Sequence, residues 1–254
     1  MSNIYEALIQ AEQEKKGEPA VITLPEEEER PIAPPLTVRR ASSKTGFSAD
    51  TELFDLYRHI SGLMADSPGR TIQFISTRPG EGVSSVVREF ARAAALRFNK
   101  RVLIMDAAHH HPTQHLNFKI PEGFGWRDAL SAGTPILKAC FQGGDKNLFV
   151  SPISMTPALT PRIHDEAAGA AMFSELRESF DLIVIDSSPA TVSADSVALT
   201  RFVDGVVLVL EAEKTRWQVA ENVKNRILKN GGNILGVIFN KRRFYIPDSV
   251  YRHL

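Results

Sequence analysis

Residues 70–92 read RTIQFISTRPGEGVSSVVREFAR, an apolar run that feeds a Gly-rich turn and then a helical pattern. That order of parts suits an anion. Gly80 and Gly82 let the backbone turn tightly, so that successive N–H groups point inward, and the helix that follows adds its positive N-terminal end. Pro79, Gly80, Glu81, Gly82, Val83, Ser84 and Ser85 form the candidate phosphate cradle. Ser84 stands where a hydroxyl would ligate magnesium. Where such loops normally carry a lysine, this chain has Val83.

Two carboxylates sit at comparable places. Asp106 ends the apolar run RVLIMD and Asp186 ends DLIVID. At the tip of a strand, either could hold magnesium or its waters, or could cap the turn that follows. Two such ends beside a Gly-rich loop favour the metal. Asn240 closes GVIFNK and could offer its amide to a base edge. His109, His110, His111 and His115 crowd one stretch, but no nearby cysteine completes a zinc pattern and consecutive side chains point apart.

Positioning these residues requires an open α/β sheet. From residue 70, β-branched runs alternate with helical ones. Strands are expected at TIQFIST, RVLIMDA, NLFVSPI, DLIVIDS, DGVVLVLEA and ILGVIFNK. Helices are expected at SSVVREFARAAALRF, about 125–132, from Asp165, at SADSVALTRF and at RWQVAENVKNRILKNG. Nearly continuous apolar strands separated by helices define a doubly wound, mostly parallel sheet, whose ligands sit beyond the carboxyl ends of the strands. Before it, residues 1–16 read as a short amphipathic helix, either a frayed tail or a docking peptide. Residues 17–50 read as a disordered, flexible linker, with an acidic run and then Arg39-Arg40. A helix over 51–65 is expected to bury Leu53, Leu56, Tyr57, Ile60 and Leu63. The domain proper is then 51–254.

The 254 residues are 43% hydrophobic, enough for a large core, and 30 basic residues balance 30 acidic ones. Zero formal charge argues against a nucleic-acid partner held by bulk positive charge. The lone Cys140 excludes an internal disulfide, fits a reducing compartment, and suits a buried apolar role. No stretch of 18 apolar residues and no secretory leader are visible, so the expected location is cytoplasmic.

The segments ISTRPGEGVSS, RVLIMDAAHHHP, FDLIVIDSSPA and DGVVLVLEAEKT…ILGVIFNK together resemble the cytoplasmic domain of bacterial tyrosine kinases (BY-kinases), relatives of the MinD/ParA-type P-loop ATPases. The resemblance covers about residues 50–243, and the opening MSNIYEALIQAE is similar to that of stand-alone kinases from exopolysaccharide operons. It implies a P-loop NTPase-type fold and ATP or ADP with Mg2+. It places Asp106 in Walker A′ and Asp186 in Walker B, with Ser84, Asp106 and Asp186 around the metal. It also implies a membrane-embedded polysaccharide co-polymerase or chain-length regulator as partner, peripheral to the inner membrane. Head-to-tail rings, in which a neighbour receives a tyrosine-rich tail, complete the picture.

Departures from the family pattern fall on its charges. Lysine becomes Val83, the second A′ aspartate becomes Ala108, and histidines 109–111 replace basic residues at the mouth of the ligand site. The tail keeps Tyr245 and Tyr251 as phosphoacceptor candidates. The ring motif reads Glu52, Asp55 and Arg58, without its middle arginine. Phosphoryl transfer depends almost wholly on positioning and charge. The expectation is a catalytically impaired pseudokinase, with Asp106 the remaining catalytic candidate. An active tyrosine autokinase needs another cation, such as Arg78 or Arg88. A MinD/ParA-like positioning ATPase would carry an earlier loop lysine, where this chain has Ser76, Thr77 and Arg78.

Overall fold

Strands that are apolar on both faces must be covered on both, and this sheet is. The computed structural model of the chain describes residues 48–64, 70–121, 123–154 and 165–241, all within the unit Ile32–Leu254. The expected helix over 1–16, Arg39-Arg40, Tyr245 and Tyr251 lie outside the described residues.

The elements run α1 (Ser48–Leu63), β1 (Thr71–Ser76), α2 (Val83–Arg97), β2 (Val102–Ala107), α3 (Gln114–Phe118), α4 (Trp126–Ala132), a 3-10 turn (Ile136–Ala139), β3 (Phe141–Gln142) and β4 (Leu148–Ser151). They continue with α5 (Glu166–Ser179), β5 (Leu182–Ser187), α6 (Ala194–Ala198), a second 3-10 turn (Leu199–Phe202), β6 (Gly205–Glu211), α7 (Trp217–Lys229) and β7 (Ile234–Asn240). The sheet order is β3-β4-β2-β5-β1-β6-β7, all parallel except the antiparallel β3–β4 edge. All six residues of β1, β2 and β5 are buried, which is why these strands lack a polar alternation.

Each face has its own apolar layer. Under α1 and α2 lie Leu56, Tyr57, Ile60, Phe74, Val87 and Phe90; on the opposite face Leu103, Trp126, Phe173, Ile185 and Ile227 interlock. Each such side chain contributes roughly 1.5–3 kcal/mol by leaving water. α1 docks on α2 through Tyr57, whose ring lies 4.0 Å from Phe98 and 5.9 Å from Phe90.

The α1 expectation needs correction in detail. The helix starts at Ser48, inside the stretch read as linker, and Leu63 is exposed while Met64 is buried. At 100° per residue, Leu56, Tyr57, Ile60 and Met64 share one arc, and Leu63 falls at its margin. Asp55 and Arg58 are exposed on this helix. At the start of α5, the Asp165 carboxylate caps the helix by accepting from the Ala167 and Ala168 N–H groups.

Candidate functional site

In the sheet order β1 lies between β5 and β6, so the chain leaves β1 toward β2 on one side and reaches β6 and β7 on the other. Such a reversal opens a crevice at the carboxyl end of the strand. The loop 77–82 occupies it and hands the chain to α2. Gly80 and Gly82 take φ of +83° and +94°, left-handed values that favour glycine. Gly82 is also required by space: a Cβ there would lie 2.2 Å from Asn240 Nδ2. α2 has no side-chain cap and no acidic residue in its first turn, so nothing of its own competes for its leading N–H groups.

What shapes the loop is Glu81, almost fully buried. Its Oε2 accepts from Thr77 N–H (2.7 Å) and Arg78 N–H (2.8 Å), and its Oε1 from Glu211 N–H (3.3 Å) and the Thr215 hydroxyl. The Thr77 hydroxyl lies within hydrogen-bond reach of both oxygens. One buried carboxylate therefore ties the loop to the end of β6. The amide of Asn240 donates from Nδ2 to Glu81 O (2.8 Å), tying the end of β7 to the loop. Lys241, with φ of +56°, donates from Nζ to Gly80 O (2.5 Å) and lies 3.5 Å from Glu211 Oε2. Across the loop, Thr191 Oγ1 donates to Thr77 O (2.5 Å).

The acidic pair forms because β2 and β5 are neighbours in register, with Asp106 opposite Asp186. Both side chains are fully buried. Asp106 Oδ1 accepts from Ala108 N–H (3.0 Å) and Oδ2 from Gln114 N–H (3.1 Å), while Trp126 Nε1 pins its carbonyl (2.6 Å). Burial first, then the neighbouring Asp186 charge, pushes the Asp106 carboxyl up to about 7, against the pull of those backbone donors. Burial also raises Asp186, opposed by the Gln114 amide, the Ser84 hydroxyl and the Arg88 charge.

Gln114, fully buried, stitches the halves of the site together. Its Nε2 donates to Asp186 Oδ2 (2.6 Å) and reaches Ser84 O (3.3 Å). The Ser84 hydroxyl lies close enough to favour ionised Asp186 without a hydrogen bond of ordinary geometry. Asp186 Oδ1 and Gln114 Oε1 thus remain buried without a partner. Two adjacent carboxylates with an unpartnered oxygen and a serine hydroxyl nearby suit a divalent cation, and the glycine turn leading into the uncapped start of α2 suits an anion. The residues that would hold the metal, Ser84, Asp106 and Asp186, are brought together.

At the lysine position the fit fails. Val83 is buried, and its side chain joins the apolar layer under α2, offering neither charge nor donor. Ala108 is likewise buried. His110 and His111 are exposed; His109 is half-buried, its Nε2 3.1 Å from Asp195 Oδ2. No group of three or more His, Cys, Asp or Glu able to hold a metal ion occurs among the described residues. Partial burial pushes the Cys140 thiol up to about 12, leaving it unreactive.

Sequence reasoning missed Gln114, Lys241 and the role of Glu81. A glutamate between two glycines is a faint signal of a loop latch. Nothing local marks Gln114, whose role depends on the pairing of two distant strands.

Fold and site define a sheet of P-loop NTPase type, doubly wound, with its Gly-rich loop after the first strand. No family model matches the chain. It is 30% identical over 151 residues to the putative tyrosine-protein kinase CapB of Staphylococcus aureus, covering 59% of this chain and 66% of that protein, slightly under two thirds of its length. It is 28% identical over 183 residues to the tyrosine-protein kinase YwqD of Bacillus subtilis (strain 168), covering 70% and 75%. The succinoglycan biosynthesis transport protein ExoP of Rhizobium meliloti (strain 1021) is 25% identical over 189 residues, 70% of this chain and 23% of that protein. Among solved structures, the kinase domain of the Escherichia coli tyrosine kinase ETK shares the fold with a TM-score of 0.70 at 18% identity, over 82% of this chain and 86% of that one. The septum site-determining protein MinD complexed with Mg-ADP from Pyrococcus horikoshii OT3 shares it with a TM-score of 0.59 at 19% identity, over 72% and 76%. In sequence the chain is similar to the bacterial tyrosine kinase family, and it shares the P-loop fold of such kinase domains.

Proposed function

We propose that the chain is a catalytically impaired member of this family, a pseudokinase serving capsule or exopolysaccharide biosynthesis and export. It binds ATP or ADP with Mg2+ weakly and acts through a membrane-embedded polysaccharide co-polymerase. The observation that carries the reading is Val83: the loop, the acidic pair and Ser84 are assembled, while the position for the phosphate-bridging ammonium holds a buried aliphatic group. Magnesium, held by Ser84, Asp106 and Asp186, would supply positive charge against that of the phosphates. The chain's own part is to hold the anion with loop N–H groups and to keep Asp106 and Asp186 side by side. Losing a positioned cation at a transferring phosphate costs several kcal/mol, on the order of 10³-fold in rate. A partner in export is supported by the likeness to ExoP, a succinoglycan biosynthesis transport protein.

Purified protein incubated with ATP and Mg2+ is expected to show no phosphotyrosine by mass spectrometry. Phosphorylation of Tyr245 or Tyr251 at rates typical of kinases would overturn the reading. The alternative, an active tyrosine autokinase, is favoured by one observation: Lys241 already touches the loop at Gly80. Its cost to that reading is that the same ammonium is engaged by Gly80 and Glu211.

A further inference from the structure

Three buried polar atoms around the first turn of α2 lack partners: the acceptors Asp186 Oδ1 and Gln114 Oε1, and the donor Arg88 Nη1. The acceptors suit a cation. The donor calls for an anion. Arg88 stands four residues after Ser84, hence on the same face of α2. Its head turns back toward the start of the helix, where Nη2 donates to Ser85 Oγ (3.2 Å). The guanidinium thus lies beside a loop residue expected to line the phosphate cradle, and its charge is felt by Asp186. Of the other basic groups at this loop, Arg78 is exposed at its outer surface and Lys241 is engaged by the Gly80 carbonyl and Glu211.

The geometry points to Arg88 as a phosphate-binding residue that supplies, from the second turn of α2, the positive charge that Val83 cannot. A guanidinium can contact two oxygens of one phosphate at once, whereas an ammonium acts as a point charge. Placed one turn along the helix from Ser84 and on a different face from Val83, it grips the anion without standing at the transferring group. The assignment rests on the nucleotide-binding part of the proposed function and explains how binding survives when transfer does not. The bland rival is that Arg88 only offsets the buried carboxylates.

The test is calorimetric titration of the full chain with ADP, ATP and inorganic pyrophosphate, with Mg2+, for wild type, Arg88→Gln and Arg88→Lys. Circular dichroism would check that each is folded. Arg88→Gln should weaken ADP, ATP and pyrophosphate alike by about tenfold or more, the loss of one charge-assisted contact, and Arg88→Lys should recover part of it. Unchanged or tighter binding by Arg88→Gln overturns the assignment while leaving the nucleotide reading intact. Weakening of ADP with pyrophosphate unaffected also overturns it, since the contact would then be to the nucleoside. A wild type that binds none of the three overturns both. Should Arg88→Gln fail to fold, phenylglyoxal labelling of wild type followed by peptide mass analysis decides: ADP must protect Arg88, and equal labelling with and without ADP rejects the proposal.

Discussion

At the scale of single residues, the site is a set of charges present and charges missing. Val83→Lys should return the missing donor. We expect nucleotide affinity to rise about tenfold or more by calorimetry, since a charged hydrogen bond is worth roughly 1.5–3 kcal/mol. An unchanged affinity would mean that Arg88 already supplies all the charge the cradle can use. The acidic pair gives a pH signature. Asp106 is raised to about 7 in the folded protein, from an ordinary carboxylate value near 3.8. In that interval the unfolded chain has released a proton that the folded one keeps, so the stabilising effect is whole below pH 4 and disappears as pH climbs to about 7. Asp186→Asn removes the facing charge while its amide oxygen can still accept from Gln114. Metal-free Asp186→Asn should therefore be more stable than wild type at pH 8, by about 1–3 kcal/mol in urea denaturation, and the difference should shrink toward pH 4. Stability differences that grow on acidification would contradict this account. The wild type should gain melting temperature from Mg2+ at pH 8, and Asp186→Asn should not.

At the scale of elements, the loop and α1 depend on contacts that sequence patterns express unequally. Glu81→Ala would strand the Thr77, Arg78 and Glu211 N–H groups in a buried site. We expect a loss of about 3–5 kcal/mol in chemical denaturation, in the range for breaking a buried charged network. Tyr57→Ala should cost about 3–5 kcal/mol by removing the ring that joins α1 to Phe90 and Phe98, whereas exposed Leu63→Ala should stay within about 0.5 kcal/mol. The second comparison tests the corrected helix face directly. The strands β1, β2, β5, β6 and β7 were legible because their apolar runs are long and bounded by turn residues. α3 has five residues and β3 two, too few to show any period. Asp106 and Asp186 could be named as strand tips, but their facing positions follow only from the pairing of β2 with β5. Asn240 was recognised as a strand end, and its partner, the Glu81 carbonyl, is 159 residues away.

At the scale of the whole molecule, the sheet shares its fold with MinD, yet its loop carries Arg78, exposed, where a positioning ATPase is expected to carry a lysine. Light scattering should show no nucleotide-dependent change in mass; a shift to a dimer with ATP and Mg2+ would favour that branch instead. Glu81 bears on how the molecule meets its ligand. With its carboxylate already saturated by backbone and hydroxyl donors, and its carbonyl held by Asn240, the cradle is set before any anion arrives. Little conformational freedom is left to surrender at the encounter, so association should follow a single exponential in stopped-flow mixing, with a rate proportional to concentration and no lag for segment rearrangement.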